Sequence, residues 1–323
     1  MHLLTIAIPT KNRGKFIGLI LSELSKQIIE EKLSNIVNVI ISDNASSDDT
    51  VNVVAPFTKH NKNFFYIKQK FDVGIDGNVR YLIKIAQGKF IWFLGDDDSI
   101  YPGAVKKVHQ TLRENINCGG MLFGYDIYDK TLGKFQKHMR PKNKGLVYKK
   151  DFLRNDFFLN SFISITIIKK PYSNSKKFNE QTTRWCGSLY LHSAIQLMQA
   201  DKGIFISQEC LVKFRSGMSE LGAPILASIM PTIIALSNKE ALNLYQRTQI
   251  QNYACRKNLL PYLLTRKLGN GMKIDEIYLI FKFHYLAISF WLIFLPMYIV
   301  PTLVYKLLNK IRKLILIIFG LRK

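Results

Sequence analysis

Lys89 to Pro102 reads KFIWFLGDDDSIYP, and no other stretch restricts the possible folds as much. Phe90 to Leu94 is an apolar run with no alternation, the pattern of a strand buried on both faces of a parallel sheet. Gly95 breaks it, and three carboxylates follow at once, Asp96, Asp97 and Asp98. A buried strand that ends in acids places negative charge at the carboxyl edge of a sheet, where open α/β folds bind ligands. Like charges this close raise one another's pKa and weaken the fold unless a cation compensates. Hard oxygen donors on a short loop suit Mg²⁺ or Mn²⁺, ions that commonly bridge nucleotide phosphates. A solvated acidic turn is the plainer alternative, and the five core residues just before the acids argue against it.

The same sheet logic extends in both directions. Leu3 to Ile8 is a first strand; Pro9 ends it, and Thr10-Lys11-Asn12-Arg13-Gly14 turns into a helix with Ile17, Ile20, Leu21, Leu24 and Ile28 on one face. A strand, a donor-rich turn and a helix offer backbone N–H groups to phosphate. Val37 to Ser42 is a second strand, ending in Asp43 and a Ser/Asp-rich start to the next helix. Phe64 to Lys68 is a third. Beyond it a Gly/Asp turn leads to a helix carrying Val79, Leu82, Ile83 and Ala86, and Pro102 opens another. This alternation to about residue 115 predicts an α/β fold, a mainly parallel sheet with helices on both faces.

Taken in order, IPTKNR, SDNASSDDT, the Gly74…Asn78…Ala86-x-Gly88 spacing and WFLGDDDxxxP resemble the family 2 glycosyltransferases of GT-A fold. The GDDD form is most similar to members that build bacterial O-antigen or capsule repeats, the abequosyltransferase-like group. The resemblance covers roughly residues 3 to 115. It implies that Thr10, Asn12 and Arg13 flank a nucleoside diphosphate, that Asp43 faces the base, and that Asn78 belongs to the same donor site. It implies too that Asp96 and Asp97 contact the donor, and that Asp98, with Asp96 beside it, holds Mg²⁺ or Mn²⁺. Gly95 stands where many members carry another Asp, and Asp72 where many carry Asn.

From Gly119 the pattern changes. Met121 to Tyr128 and Phe162 to Ile168 read as strands, separated by a basic loop from Lys130 to Lys150. An inverting transferase needs a base for the acceptor hydroxyl's proton, and the candidates are Glu180, Asp156 and His192. His192 lies in an apolar helical pattern, where a core histidine is the commoner outcome, and Glu180 is equally consistent with a surface acid. Arg215, at the end of a strand from Val212, is the candidate to meet the leaving diphosphate.

The chain has 323 residues and a formal charge of +23, with a pI near 9.8, which points to polyanionic partners. Four cysteines with no CxxC pair fit a reducing compartment, and the N-terminus lacks a signal-peptide layout. We expect a catalytic domain over 1–220, with a nucleotide-sugar half at 1–115 and an acceptor half at 116–220, and a helical region over 221–323. Leu286 to Val304 carries no charge, Lys306 to Lys323 is basic, and no acid follows Glu276. That predicts an apolar membrane anchor at about 278–320, re-entrant or lying in the interface, with a single span as the second reading because it sets six basic residues against the positive-inside rule.

The expected partners are therefore a nucleotide-sugar donor, a lipid-linked or glycan acceptor and the cytoplasmic face of a bacterial inner membrane, with no nucleic acid. Two other classes compete. A sugar-phosphate nucleotidyltransferase needs a Gly-rich loop after the first strand, where IPTKNRG has one glycine. A nucleic-acid module needs basic and aromatic residues interleaved on one face, whereas the most compact basic cluster flanks the apolar tail.

Overall fold

The protein was analysed as a computed structural model, which describes residues 2–171, 176–185, 190–217, 243–255, 263 and 288–299. Its chain divides into two compact units, Met1–Glu220 and Leu221–Lys323.

The first unit is built on a ten-stranded sheet. Strands β1 (Leu4–Thr10), β2 (Val37–Asp43), β3 (Phe64–Lys68) and β4 (Phe90–Phe93) run parallel in the order β3-β2-β1-β4. Every residue of β2 and β4 is buried, as is all of β1 but Pro9, so both faces of this half are covered. Helices α1 (Gly14–Glu30), α2 (Thr50–His60) and α4 (Ala104–Glu114) pack together through α1, while α3 (Gly74–Ile85) packs on α7 (Leu191–Gln199). On α1 the buried stripe includes Ile17, Ile20, Leu21, Leu24 and Ile28, all five of the apolar positions read from the sequence.

Close approach of helix and sheet is enforced at Gly88, where a Cβ would lie 2.5 Å from the backbone nitrogen of Thr5. Thr5 Oγ1 accepts from Gly88 N at 2.8 Å and donates to Asn38 at 2.7 Å, which ties the end of the α3 segment to the sheet.

Beyond β4 the sheet becomes mixed. β9 (Thr166–Lys169) runs antiparallel between β4 and β6 (Gly120–Tyr128), and β10 (Ile204–Arg215) is again parallel to β6. Short β5 (Ser99–Ile100) closes against β10. The basic stretch expected as a loop instead forms β7 (Phe135–Met139), antiparallel to β6, and β8 (Gly145–Val147), antiparallel to β10, before α5 (Lys149–Asn155). Every residue of β7 but Met139 is exposed, so no buried face imprinted an apolar alternation on its sequence. Strands β1–β4, β6 and β10 share one direction, so their carboxyl ends lie along one edge.

In the second unit, α8 (Leu244–Ala254) and a helical stretch over 288–299 are described. Among the described residues no helix is long and apolar enough to cross a membrane. The anchor expected over 278–320 lies outside the described residues except for 288–299.

Candidate active site

Each loop at the carboxyl edge is fixed by polar contacts that the strand ends bring within reach. Thr10 is the register partner of Asp43, and Leu94 N donates to Ala7 O at 3.0 Å, so the acids after β4 lie beside the β1 turn. Asn12 adopts a left-handed backbone with φ 53°, which asparagine tolerates. Its N–H donates to Ser46 Oγ at 2.8 Å, and its Oδ1 accepts from Ser47 N at 2.9 Å. Arg13 N donates to Thr50 Oγ1 at 3.2 Å, and Gly14 N to Asp48 Oδ2 at 3.0 Å. Three backbone donors of this turn, those of Asn12, Arg13 and Gly14, are thus engaged by the β2 loop, whose Ser, Thr and Asp side chains supply the acceptors.

Asp43 is fully buried, with Oδ1 accepting from Ser46 N at 2.8 Å and Oδ2 from the Tyr66 hydroxyl at 2.5 Å. Asn78 is buried as well; it donates to Ser42 O at 2.8 Å and accepts from Ser42 Oγ at 2.5 Å. Both side chains brace the loop from inside. Outside it, Lys11 pairs with Asp72 at 2.6 Å, and the other Asp72 oxygen accepts from Asn44.

The three acids are not equivalent. Asp98 is 2% exposed; its Oδ1 accepts from Arg215 N at 3.2 Å and its Oδ2 from Ser164 Oγ at 2.5 Å. Burial, reinforced by the charge of Asp97, pushes its pKa up to about 8. Each oxygen of this expected ion ligand thus already accepts one hydrogen bond from the protein, which braces the acidic loop against β10 and the turn before β9. Gly95 makes this possible: a Cβ there would lie 2.7 Å from Asp98 Oδ2 and 3.0 Å from Ser164 Oγ. Asp96 lies 3.9 Å from Arg13 Nε, and burial pushes it up to about 7. Asp97 is half-buried, and among the described residues no side chain bonds its carboxylate. Burial raises it, while the more distant charges of Arg13 and Arg215 pull it down.

Two guanidinium groups border this carboxylate. Arg215 Nε donates to Asp97 O at 2.7 Å and its Nη1 to Lys130 O at 2.9 Å. The guanidinium carbons of Arg13 and Arg215 lie 5.9 and 5.3 Å from the centroid of the Phe16 ring, within cation–π range. Tyr125, Phe162 and Phe214 form a cluster nearby, Tyr125 and Phe162 having centroids 4.5 Å apart. The donor chemistry at Asp96 and Asp97 is all hard oxygen, which fits Mg²⁺ or Mn²⁺ better than a soft ion.

The three candidate bases fall in different places. Asp156 is fully buried and accepts from Lys142 N at 2.5 Å and from the Asn143 side chain at 2.7 Å, holding a loop to the turn that follows it. His192 is buried on α7, with Nε2 3.1 Å from Asn160 O; burial depresses its pKa to about 4. Ser193 donates to the same carbonyl at 2.5 Å, and Thr166 to the Asn160 side chain at 2.5 Å. Asp156 and His192 therefore set the turn leading to Ser164, and Ser164 sets Asp98. Glu180, on α6 (Lys176–Trp185), is exposed, with Lys176 Nζ 4.0 Å away. Ser164 was not among the residues singled out from the sequence; it lies in a short 3-10 turn, Ile163–Ile165, just before β9, and a serine within the apolar run FISITII is the visible trace of its buried polar contact. Trp92 Nε1 also donates to its carbonyl, at 2.8 Å.

The family model described as "Glycosyl transferase family 2" matches residues 5–192. Among curated proteins, the chain is 27% identical over 210 residues to the GalNAc(5)-diNAcBac-PP-undecaprenol beta-1,3-glucosyltransferase of Campylobacter jejuni, covering 61% of this chain and 64% of that one. It is 23% identical over 227 residues to abequosyltransferase RfbV of Salmonella typhimurium, covering 66% and 64%. The chain thus spans a little under two thirds of the length of these curated relatives. Among solved structures, S. aureus TarS in complex with UDP-GlcNAc superposes with a TM-score of 0.63 at 16% identity, over 87% of this chain and 79% of that one. The Pyrobaculum calidifontis mannosyltransferase PcManGT, in complex with GDP-Man and Mn²⁺, gives 0.53 at 13% identity, over 86% and 78%. These likenesses establish the GT-A-like fold.

Proposed function

The chain belongs to glycosyl transferase family 2, and from that premise we propose that it moves a sugar from a nucleoside-diphosphate donor to a hydroxyl of a lipid-linked glycan. The step is metal-dependent, inverts the anomeric centre and serves cell-surface polysaccharide synthesis. The observation that carries this reading is the open Asp97 carboxylate, set among two arginines at the carboxyl edge of the sheet. The printed activities of the Campylobacter and Salmonella relatives support a glycosyl transfer, and the former a lipid-linked acceptor.

In this reading Asp97 and Asp96 hold Mg²⁺ or Mn²⁺. Bound there, such an ion supplies Lewis-acid neutralisation of the leaving diphosphate. Arg13 and Arg215 bring two more positive charges to the same group. Thr10 and Asn12 form the floor beneath the diphosphate. Asp43 and Asn78 keep the β2 loop rigid under the base, and Asp98 keeps the acidic loop in register with β10. The acceptor oxygen bonds to the anomeric carbon as that carbon's bond to the diphosphate oxygen breaks. Glu180 takes the hydroxyl proton, being the one sequence candidate whose carboxylate reaches solvent. The basic, apolar C-terminal stretch draws the enzyme to the cytoplasmic face of a bacterial inner membrane, where anionic lipid attracts lysine and arginine.

The test is release of nucleoside diphosphate from a panel of UDP-, GDP- and CDP-sugars, with and without EDTA. Release that EDTA stops supports the proposal. Pyrophosphate formed from a sugar 1-phosphate and a nucleoside triphosphate, with no release from any sugar nucleotide, would instead identify a nucleotidyltransferase.

A further inference from the structure

On the neighbouring strands β6, β7 and β10, three side chains of different chemistry converge. Asp126 of β6, His138 of β7 and Cys210 of β10 each offer one ligand atom, and those atoms lie within 4.8 Å of one another. His138 Nδ1 is 2.7 Å from Asp126 Oδ1, and the Tyr101 hydroxyl donates to Asp126 Oδ2 at 2.7 Å. The Cys210 thiol shares the same carboxylate, and Arg140 reaches its sulfur.

The backbone is adapted to this meeting. The β6–β10 register slips on both sides of Cys210, from Ile206 opposite Leu122 to Val212 opposite Tyr125, so a bulge sets the direction of the cysteine. Opposite it stands Gly124, where a Cβ would lie 3.1 Å from Cys210 Sγ. A larger residue at 124 would crowd the sulfur, and glycine leaves it room.

We propose that Asp126, His138 and Cys210 form a Zn²⁺ site that staples the β7 hairpin to β10. Thiolate, imidazole and carboxylate are the common zinc ligands, with Zn–S near 2.3 Å and Zn–N or Zn–O near 2.0–2.2 Å. At tetrahedral angles those bonds set ligand atoms about 3.3–3.7 Å apart, so the contact between His138 and Asp126 opens by under about 1 Å. On binding, the thiol proton goes to solvent and the imidazole keeps its proton on Nε2, leaving the Nδ1 lone pair for the ion. Arg140 turns away from the sulfur. Tyr101 stays on the other Asp126 oxygen as the outer partner that orients the ligand. Two negative ligands balance the ion, and the fourth position opens to solvent beside the exposed His138. The site is independent of the proposed transfer reaction.

Co²⁺ titration of the metal-free full-length chain, followed by absorption, tests it. One equivalent of Co²⁺ should give a thiolate-to-metal charge-transfer band in the near ultraviolet, removed by Zn²⁺ and untouched by excess Mg²⁺. Cys210→Ser should abolish the band, with an unchanged far-ultraviolet circular dichroism spectrum. Exposed His138→Ala should weaken binding by at least about tenfold, and Tyr101→Phe by about tenfold. No thiolate band in the wild-type chain, or a band that survives Cys210→Ser and so belongs to another cysteine, overturns the site.

Discussion

The backbone N–H of Arg215 donates to Asp98 Oδ1 at 3.2 Å across 117 residues of chain. Through this bond the end of β10 is locked to the loop after β4, and Ser164 closes the lock from the β9 side at 2.5 Å. Asp97 in this loop is half-buried, while its neighbour is anchored inward. A buried carboxylate held this way fixes the loop's geometry, and in the proposed reaction its companion Asp97 serves the chemistry.

Asp98→Ala should therefore act on stability. Removing it strands one backbone N–H and one hydroxyl in the interior, a loss of about 1–3 kcal/mol. Chemical denaturation of the variant against wild type measures the difference. An unchanged midpoint would mean that Asp98 is not a brace.

His192 gives a prediction in acid. A histidine ordinarily titrates near pH 6.5, and burial lowers this one to about 4. Below pH 6.5 the unfolded chain takes up a proton that the folded chain refuses. The contribution is thus whole above pH 6.5 and is lost as pH falls towards 4, by on the order of 3 kcal/mol. In His192→Gln the slope of unfolding free energy against pH should flatten across that window. An identical slope would place the acid sensitivity elsewhere.

Much of this architecture was legible in the sequence, and the failures have common causes. Buried parallel strands such as FIWFL announce themselves because both faces need apolar residues. The carboxyl-edge loops were legible for the same reason, since acids and asparagines there interrupt those runs. The division of labour inside GDDD was not legible: which acid turns inward depends on Gly95, Ser164 and the end of β10, groups 3 to 117 residues away in sequence. The β7 hairpin stayed hidden because it is exposed. Asp156 and His192 show the converse problem, since a titratable residue inside a fold looks like a catalyst until its partners are known.

Glu180→Gln should lower kcat by at least about a hundredfold, the scale of general-base catalysis, with KM for the donor nearly unchanged. Steady-state rates with a glycan acceptor decide this. A drop of under threefold would move the base to another residue.

Deleting the residues after 277 should move the protein from the membrane fraction to the soluble fraction while donor hydrolysis persists. Unchanged partitioning after flotation would remove the C-terminal stretch from membrane binding.

Calorimetric titration of Mn²⁺ with UDP, GDP or CDP present, on wild type and on Asp97→Asn, tests the central claim most directly. Wild type should bind one Mn²⁺ at the acidic loop together with the matching nucleotide, and Asp97→Asn should lose that joint binding while unfolding at the wild-type temperature. If Asp97→Asn binds the ion and nucleotide as tightly as wild type, the carboxyl-edge acids do not hold the donor.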